Sequence, residues 1–271
     1  MPELPEVETT RRGILPYCQQ QTISEVTIRN RQLRWPIARS LPSQLRHQRI
    51  DDIQRRAKYL LFITKAGTLI LHLGMSGSLR VSNKDEAIQK HDHVELMLSN
   101  GKILRLNDPR RFGSLHWTRQ AAEKHKLIRT LGPEPLDDQF TAEHLYATSR
   151  NRRVAIKNFI MNSHIVVGVG NIYASESLYL AGINPGRPAG RVSLQRYEKL
   201  VNAIKETLRA AIESGGSTLN DFIKPDGQPG YFQHHFRVYG KTGLPCEQCG
   251  QPISQVTLGQ RSTFYCKTCQ R

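Results

Sequence analysis

The chain has 271 residues, 38% of them hydrophobic, with 39 Lys and Arg against 23 Asp and Glu and a formal net charge of +16. That is enough for one large domain or two ordinary ones, and the cation excess favours a polyanionic partner, nucleic acid before anionic membrane. No apolar run has the length of a bilayer-spanning helix, and Glu3, Glu6 and Glu8 with no apolar run at the start exclude a signal peptide, so a cytoplasmic location is expected.

The chain opens with MPELPEVETT. Pro5 suits the first turn of a helix, which places Glu3 and Glu6 close to Pro2. Removal of Met1 is expected to expose the Pro2 nitrogen as a secondary amine. An α-amino group has a pKa of about 7.7–8.0 against about 10.4 for lysine, so more of it is unprotonated at neutral pH. Such an amine condenses with an aldehyde carbon to give an iminium, an electron sink. A helix N-terminus lowers a carboxylate's pKa, so a general-acid Glu3 needs desolvation to offset this. The same residues also fit plain helix-capping acids at a frayed end.

Residues 21 to about 118 read mainly as β. TISEVTI alternates apolar and polar residues. YLLFIT and TLILHL flank KAG, and VELML and KILRL flank SNG, where Asn100-Gly101 is a strong hairpin signal. Several short strands in a row predict a β-sandwich or small barrel. LGPEPLDDQF (131–140) reads as a linker, and the pattern beyond it is helical.

In NRRVAIKNFIMNSHIVVGVGNIYASESLYLAGI (151–183) the first part reads as a helix with Val154, Phe159 and Ile160 apolar. Ile172 to Ala181 reads as a second helix, stopped by Gly182. Between them Gly168 and Gly170 permit positive φ and close approach, and free N–H groups before a helix suit a phosphate. Asn171 adds a side-chain amide, and Arg150, Arg152, Arg153 and Lys157 add charge. A Gly-x-Gly between two helices beside a basic cluster points to a helix–turn–helix-like phosphate clamp. A long helix follows Ser193, with Leu194, Tyr197, Val201, Ile204, Leu208 and Ile212 on one face and a stop at Gly215-Gly216. Residues 217–240 read as loop.

Four of the five cysteines fall in CEQC (246–249) and CKTC (266–269). Two Cys-x2-Cys knuckles at this spacing predict one zinc ion held by Cys246, Cys249, Cys266 and Cys269. Two disulfides are the alternative, disfavoured in a reducing compartment. A four-thiolate site leaves no open position, so this zinc is structural; a module of about thirty residues needs it in place of a core. Cys18 reads as a packed thiol. Arg261 falls at a hairpin tip between the cysteine pairs, and its residue context alone leaves open whether it is solvated or functional.

In chain order, MPELPEVET, RRAKYLL, HLGMSGSLR, DPRRFG, LGPEPL, VVGVGNIYASE, GGSTL, PGYFQ and the four-cysteine module resemble the bacterial formamidopyrimidine-DNA glycosylase family over nearly the whole chain. The resemblance implies an α+β multidomain protein: an N-terminal helix and β-sandwich catalytic domain (1–131), a helix–two-turn–helix DNA-binding domain with a lesion loop (132–240) and a zinc ribbon (241–271). It implies a monomeric base-excision repair enzyme, both glycosylase and abasic-site lyase, acting on oxidised purines in double-stranded DNA. Pro2 would be the nucleophile, Glu3 the acid/base, Glu6 a supporting carboxylate and Lys58 the proton donor for β-elimination. Arg261 would grip phosphate and assist δ-elimination. His91, Arg110, Arg152, Lys157 and Asn171 would contact the DNA backbone, and Met75, Arg110 and Phe112 would fill the gap left by a flipped nucleotide. Asn162 and Asn220 depart from the residues common at those positions, which bears on base recognition. Two other readings compete with this one: an endonuclease VIII-like enzyme for oxidised pyrimidines, and a DNA-binding architectural protein without catalysis. The second leaves Pro2, Glu3 and Lys58 unexplained.

Overall fold

A computed structural model describes residues 2–216 and 236–271. Met1, Asn220, the PGYFQ motif and most of GGSTL lie outside the described residues. The described chain forms two compact units, residues 2–129 with 214–216, and residues 130–213 with 236–271. Among the described residues no helix is long and apolar enough to cross a membrane.

The first unit opens with helix α1 (Leu4–Cys18), which has proline in its first turn. Strand β1 (Ile23–Ile28) and the short α2 (Leu41–Leu45) follow, then β2 (Asp52–Arg56), β3 (Tyr59–Thr64), β4 (Gly67–His72), β5 (Ser78–Ser82), β6 (Asp92–Leu98), β7 (Ile103–Asn107) and β8 (Ser114–Thr118). Two four-stranded antiparallel sheets result, ordered β1-β6-β7-β5 and β2-β3-β4-β8. The expected hairpins are present: Phe62 pairs with Leu69 and Leu96 with Leu104. Gly101 turns the second of them at φ +79°. Because side chains alternate along a strand, Leu60, Phe62, Leu69 and Leu71 from one sheet share a core with Leu96, Leu98, Leu104 and Leu106 from the other. This is the sandwich core, and Val7, Ile14 and Cys18 of α1 belong to it. Burial pushes the Cys18 thiol up to about 12.

The second unit is helical, with a ribbon at its end. Its elements are α3 (Ala142–Ser149), α4 (Ile156–Ile160), α5 (Asn171–Leu180), α6 (Leu194–Glu213), β9 (Ser254–Leu258) and β10 (Arg261–Tyr265). The amphipathic face of α6 buries Tyr197, Val201, Ile204, Leu208 and Ile212, whereas Leu194 is only half-buried. Gly215 and Gly216, at φ +75° and +80°, end the helical run. The helix expected around Val154 begins two residues later, so Val154 is 41% exposed and Phe159 and Ile160 form the buried face. The linker stretch is packed: Phe140 is fully buried.

Candidate functional site

Glu3 is the N-cap of α1, extended at φ −102° and ψ −168°, and forms a capping box with Glu6. The Glu3 N–H donates to Glu6 Oε2 at 2.8 Å. Both carboxylates are 2% exposed, and Pro2 is buried with them. The acids do cap the helix, and by capping it they anchor Pro2 rather than leaving it frayed. Gly216, at φ +80°, packs on Glu6; a Cβ there would lie 3.4 Å from its Cγ and Oε1.

Lys58 sits in the turn between β2 and β3, closed by the Arg56–Tyr59 pair. Ala57, just before it, takes φ +54°. Tyr59 packs on His72 with ring centroids 4.9 Å apart. Burial, helped by the charges of Lys58 and Arg34, pulls His72 down to about 4. Its ring is therefore neutral near pH 7, and its Nδ1 accepts the Gly74 N–H at 2.9 Å.

Met75 follows in the turn after β4, while Arg110 and Phe112 lie in the loop between β7 and β8. One buried carboxylate staples the two loops. Asp108 accepts the Ser76 hydroxyl at 2.8 Å and the Gly113 N–H at 2.7 Å. Ser76 Oγ in turn accepts the Arg110 N–H at 3.0 Å. The loops touch so closely that a Cβ at Gly74 would come within 2.4 Å of the Phe112–Gly113 peptide, which only glycine avoids. The Arg110 guanidinium lies 5.3 Å over the Phe112 ring, and Phe112 is 41% exposed. An exposed aromatic on a stapled loop is presented, not packed. His91 is half-buried beside this staple, its carbonyl accepting the Asp108 N–H at 3.0 Å.

In the second unit Arg152 is exposed and its Nε donates to the Thr148 carbonyl at 2.7 Å. Lys157 lies inside its unit and not at the surface. It is fully buried, and its ammonium donates to Ser262 O at 3.1 Å and Thr263 Oγ1 at 2.7 Å. These bonds tie α4 to the ribbon through a desolvated ammonium held by hydrogen-bond acceptors. Asn171 Nδ2 reaches the same Ser262 carbonyl at 3.1 Å, while its Oδ1 is buried without a hydrogen-bond partner. The glycine turn also differs in part. Gly168 takes positive φ (+79°), but Gly170 is extended (φ −108°, ψ −160°) and serves as the N-cap of α5. Asn162 Oδ1 accepts the His164 N–H at 3.0 Å, a role an aspartate would fill equally.

Arg261 is exposed at the start of β10, where it pairs with Leu258. Gly259 and Gln260 form the turn, at φ +55° and +62°. Below it the four cysteine Sγ atoms all lie within 4.8 Å of one another. A tetrahedral zinc–thiolate site with bonds of about 2.3 Å needs sulfurs about 3.8 Å apart. Cys246 and Cys269 are at 3.9 Å and Cys249 and Cys266 at 3.4 Å. The donor set therefore fits one structural zinc ion, bound by all four cysteines. Tyr179 of α5 places its hydroxyl 3.2 Å from Cys246 Sγ, and Tyr179, Val238, Ile253 and Phe264 pack with the cysteines as one small core.

Three carboxylates escaped the sequence reading. Glu8, Asp108 and Glu176 each gather partners that are remote in sequence. Glu176 accepts the N–H groups of Arg237, Val238 and Tyr239 at 2.8, 3.0 and 2.8 Å; burial raises its carboxyl despite these bonds. For Glu176 the sequence signal is a charge within the otherwise small and apolar run NIYASESLYL.

Three family models match consecutive parts of the chain. They are described as the formamidopyrimidine-DNA glycosylase N-terminal domain (residues 1–115), the formamidopyrimidine-DNA glycosylase H2TH domain (131–223) and a zinc finger found in FPG and IleRS (243–271). A formamidopyrimidine-DNA glycosylase of Stenotrophomonas maltophilia is 55% identical over 271 residues, all of both chains. Among solved structures, the MutM (Fpg) protein of Thermus thermophilus is 38% identical with a TM-score of 0.89, covering 99% of this chain and 98% of its own. A Lactococcus lactis FPG variant, solved in complex with Fapy-dG-containing DNA, is 32% identical with a TM-score of 0.90 over the whole of both chains.

Proposed function

The chain belongs to the formamidopyrimidine-DNA glycosylase family, and we propose that its own residues divide between them the excision of an oxidised purine from DNA and the cleavage of the strand that follows. The family's glycosylase and abasic-site lyase activities are this chain's activities. With Met1 removed, the Pro2 nitrogen attacks the anomeric carbon of the damaged nucleotide, the bond to the base breaks, and the opened sugar is held as an iminium. Glu3 moves protons at that sugar, with Glu6 holding it in register through the capping box. Lys58 serves the proton transfer of β-elimination, in which the 3′ phosphate leaves, and Arg261 holds phosphate and assists δ-elimination.

The remaining residues position the duplex. Arg110, Arg152, Asn171 and His91 take backbone phosphates, contacts that orient without reading sequence. Met75, Arg110 and Phe112 fill the stack vacated by the flipped nucleotide, as intercalating side chains do elsewhere. The division into a catalytic part (1–131), a helical DNA-binding part (132–240) and the ribbon (241–271) goes with this reading, as do a cytoplasmic location and a monomeric enzyme.

The observation that carries the reading is the capped, buried start of α1, where Glu3 and Glu6 are 2% exposed and their capping box fixes Pro2. Borohydride trapping on a duplex containing 8-oxoguanine opposite cytosine tests it. The protein should form a covalent adduct with the DNA, and a form that retains Met1 should form none. Undiminished trapping by the blocked form would remove Pro2 from the role of nucleophile.

A further inference from the structure

Glu8 lies on the same helix as Glu3 and Glu6, and its side chain is 11% exposed. It accepts two hydrogen bonds from Arg11, at 3.0 and 2.8 Å, and one from Arg12 at 2.9 Å. Arg55 of β2 faces it as a third cation, Nε to Oε2 at 3.4 Å, with a side chain only 12% exposed. Three guanidinium groups around one carboxylate exceed what docking a helix requires, and two of them reach onward. Arg11 Nη1 donates to the Ile53 carbonyl at 3.2 Å, which fastens α1 to β2. Arg55 Nη1 donates to the Ala57 carbonyl at 3.0 Å.

That carbonyl belongs to the peptide joining Ala57 to Lys58. The peptide unit is planar, so holding its oxygen fixes the plane from which the Lys58 Cα departs. Ala57 needs such a restraint, because it sits at φ +54°, a region that side chains rarely adopt. A continuous path thus runs from α1 through Glu8, Arg55 and the Ala57 carbonyl to the backbone of Lys58. Burial alone would raise the Glu8 carboxyl, but the hydrogen bonds of Arg11 and Arg12 and the charges of Arg11 and Arg55 bring it below its ordinary value. The path therefore remains charged through neutral pH.

We propose that Arg55, held by Glu8, is a positioning residue that sets the Lys58 turn relative to the helix carrying Pro2 and Glu3. This rests on the reading of Lys58 as the proton-transfer residue of strand cleavage. Arg55 itself touches no reacting atom in this account. Misplacement by about 1 Å is enough to slow a positioned reaction by up to roughly a hundredfold.

The test uses the full-length zinc-loaded protein and a duplex with a preformed abasic site, under single-turnover conditions. Two rates are measured: formation of the borohydride-trapped adduct, and cleavage of the strand. Arg55→Met should slow cleavage by roughly ten- to a hundredfold and leave the trapping rate near wild type. Arg12→Met removes a partner of Glu8 that does not reach the turn, and it should cleave like wild type. Lys58→Met should lose cleavage, and adding Arg55→Met to it should slow cleavage no further, since coupled residues are non-additive. If the double variant is slower than Lys58→Met by the full Arg55→Met factor, Arg55 acts independently of Lys58 and the proposal is overturned. Wild-type cleavage by Lys58→Met would instead remove the Lys58 reading, whatever Arg55→Met does. Should Arg55→Met fold poorly, Arg55→Lys keeps a charge opposite Glu8 but loses the second reach to Ala57. It should show the cleavage defect with a native melting temperature, and wild-type cleavage by it also overturns the proposal.

Discussion

The β2–β3 hairpin presents Lys58 in a turn closed by the Arg56–Tyr59 pair, and the β9–β10 hairpin presents Arg261 beside a turn closed by the Leu258–Arg261 pair. Both turns use left-handed backbone, at Ala57 in the first and at Gly259 and Gln260 in the second. Their foundations differ. In β3 four of six residues are buried, and Leu60 and Phe62 enter the sandwich core. In β9 none is fully buried, and Ile253 and Phe264 of the ribbon pack with the cysteines. One device for holding a cation out on a rigid tip is thus supported by apolar burial in a unit with a large core, and by a metal in a module too small to have one.

The largest effect that could break this comparison is removal of the metal. Cys249→Ser should abolish zinc binding, worth about 10–16 kcal/mol in small zinc modules, and unfold the ribbon. Affinity for DNA should fall by orders of magnitude, while the urea transition of the β-sandwich stays in place. Metal analysis and binding titrations at fixed salt check this; a ribbon that keeps its β9–β10 amide protection without zinc would contradict it. The reciprocal change is Leu60→Ala beneath the Lys58 hairpin. Leu60 is fully buried, so the loss should be about 3–5 kcal/mol, seen as a lower urea midpoint. The zinc content should be unchanged, and a parallel loss of zinc would show that the two foundations are not independent.

The smallest effect sharpens the comparison at the turns themselves. Gln260→Gly relieves a left-handed residue but adds unfolded-chain entropy, and the two nearly cancel, within about 0.5 kcal/mol. Ala57→Gly makes the same exchange and also gives up the methyl of a residue that is only 3% exposed. It should cost about 1 kcal/mol. Equal effects at the two sites, measured by denaturant unfolding, would mean that burial does not separate the turns.

Much of the fold was legible because its signals are local. Asn100-Gly101 marks a turn wherever it lies, alternation in TISEVTI marks a half-buried strand, and two Cys-x2-Cys knuckles mark a metal module. The site was legible in residue types but less so in their surroundings. Lys157 reads as one more cation in a basic run, and nothing nearby in sequence reveals that Ser262 and Thr263 will close over it. Gly170 looks like Gly168, yet only the conformation of the whole turn decides which of them needs positive φ. Glu8, Asp108 and Glu176 receive no role from sequence for the same reason. Each is defined by its partners: Arg55 lies 47 positions beyond Glu8, Ser76 lies 32 positions before Asp108, and the backbone from Arg237 lies 61 beyond Glu176.

The burial of Cys18 has a practical consequence for following the metal. Its sulfur is fully enclosed by the sandwich core, and its thiol, pushed up to about 12, holds almost no thiolate at neutral pH. A thiol-reactive chromophore added to the native protein therefore has only the ribbon to report on. Zinc-loaded protein should react slowly, chelation should release a burst of four equivalents, and a fifth should follow only when the sandwich unfolds. The colour yield then counts metal occupancy and sandwich integrity separately in one sample, with no label introduced.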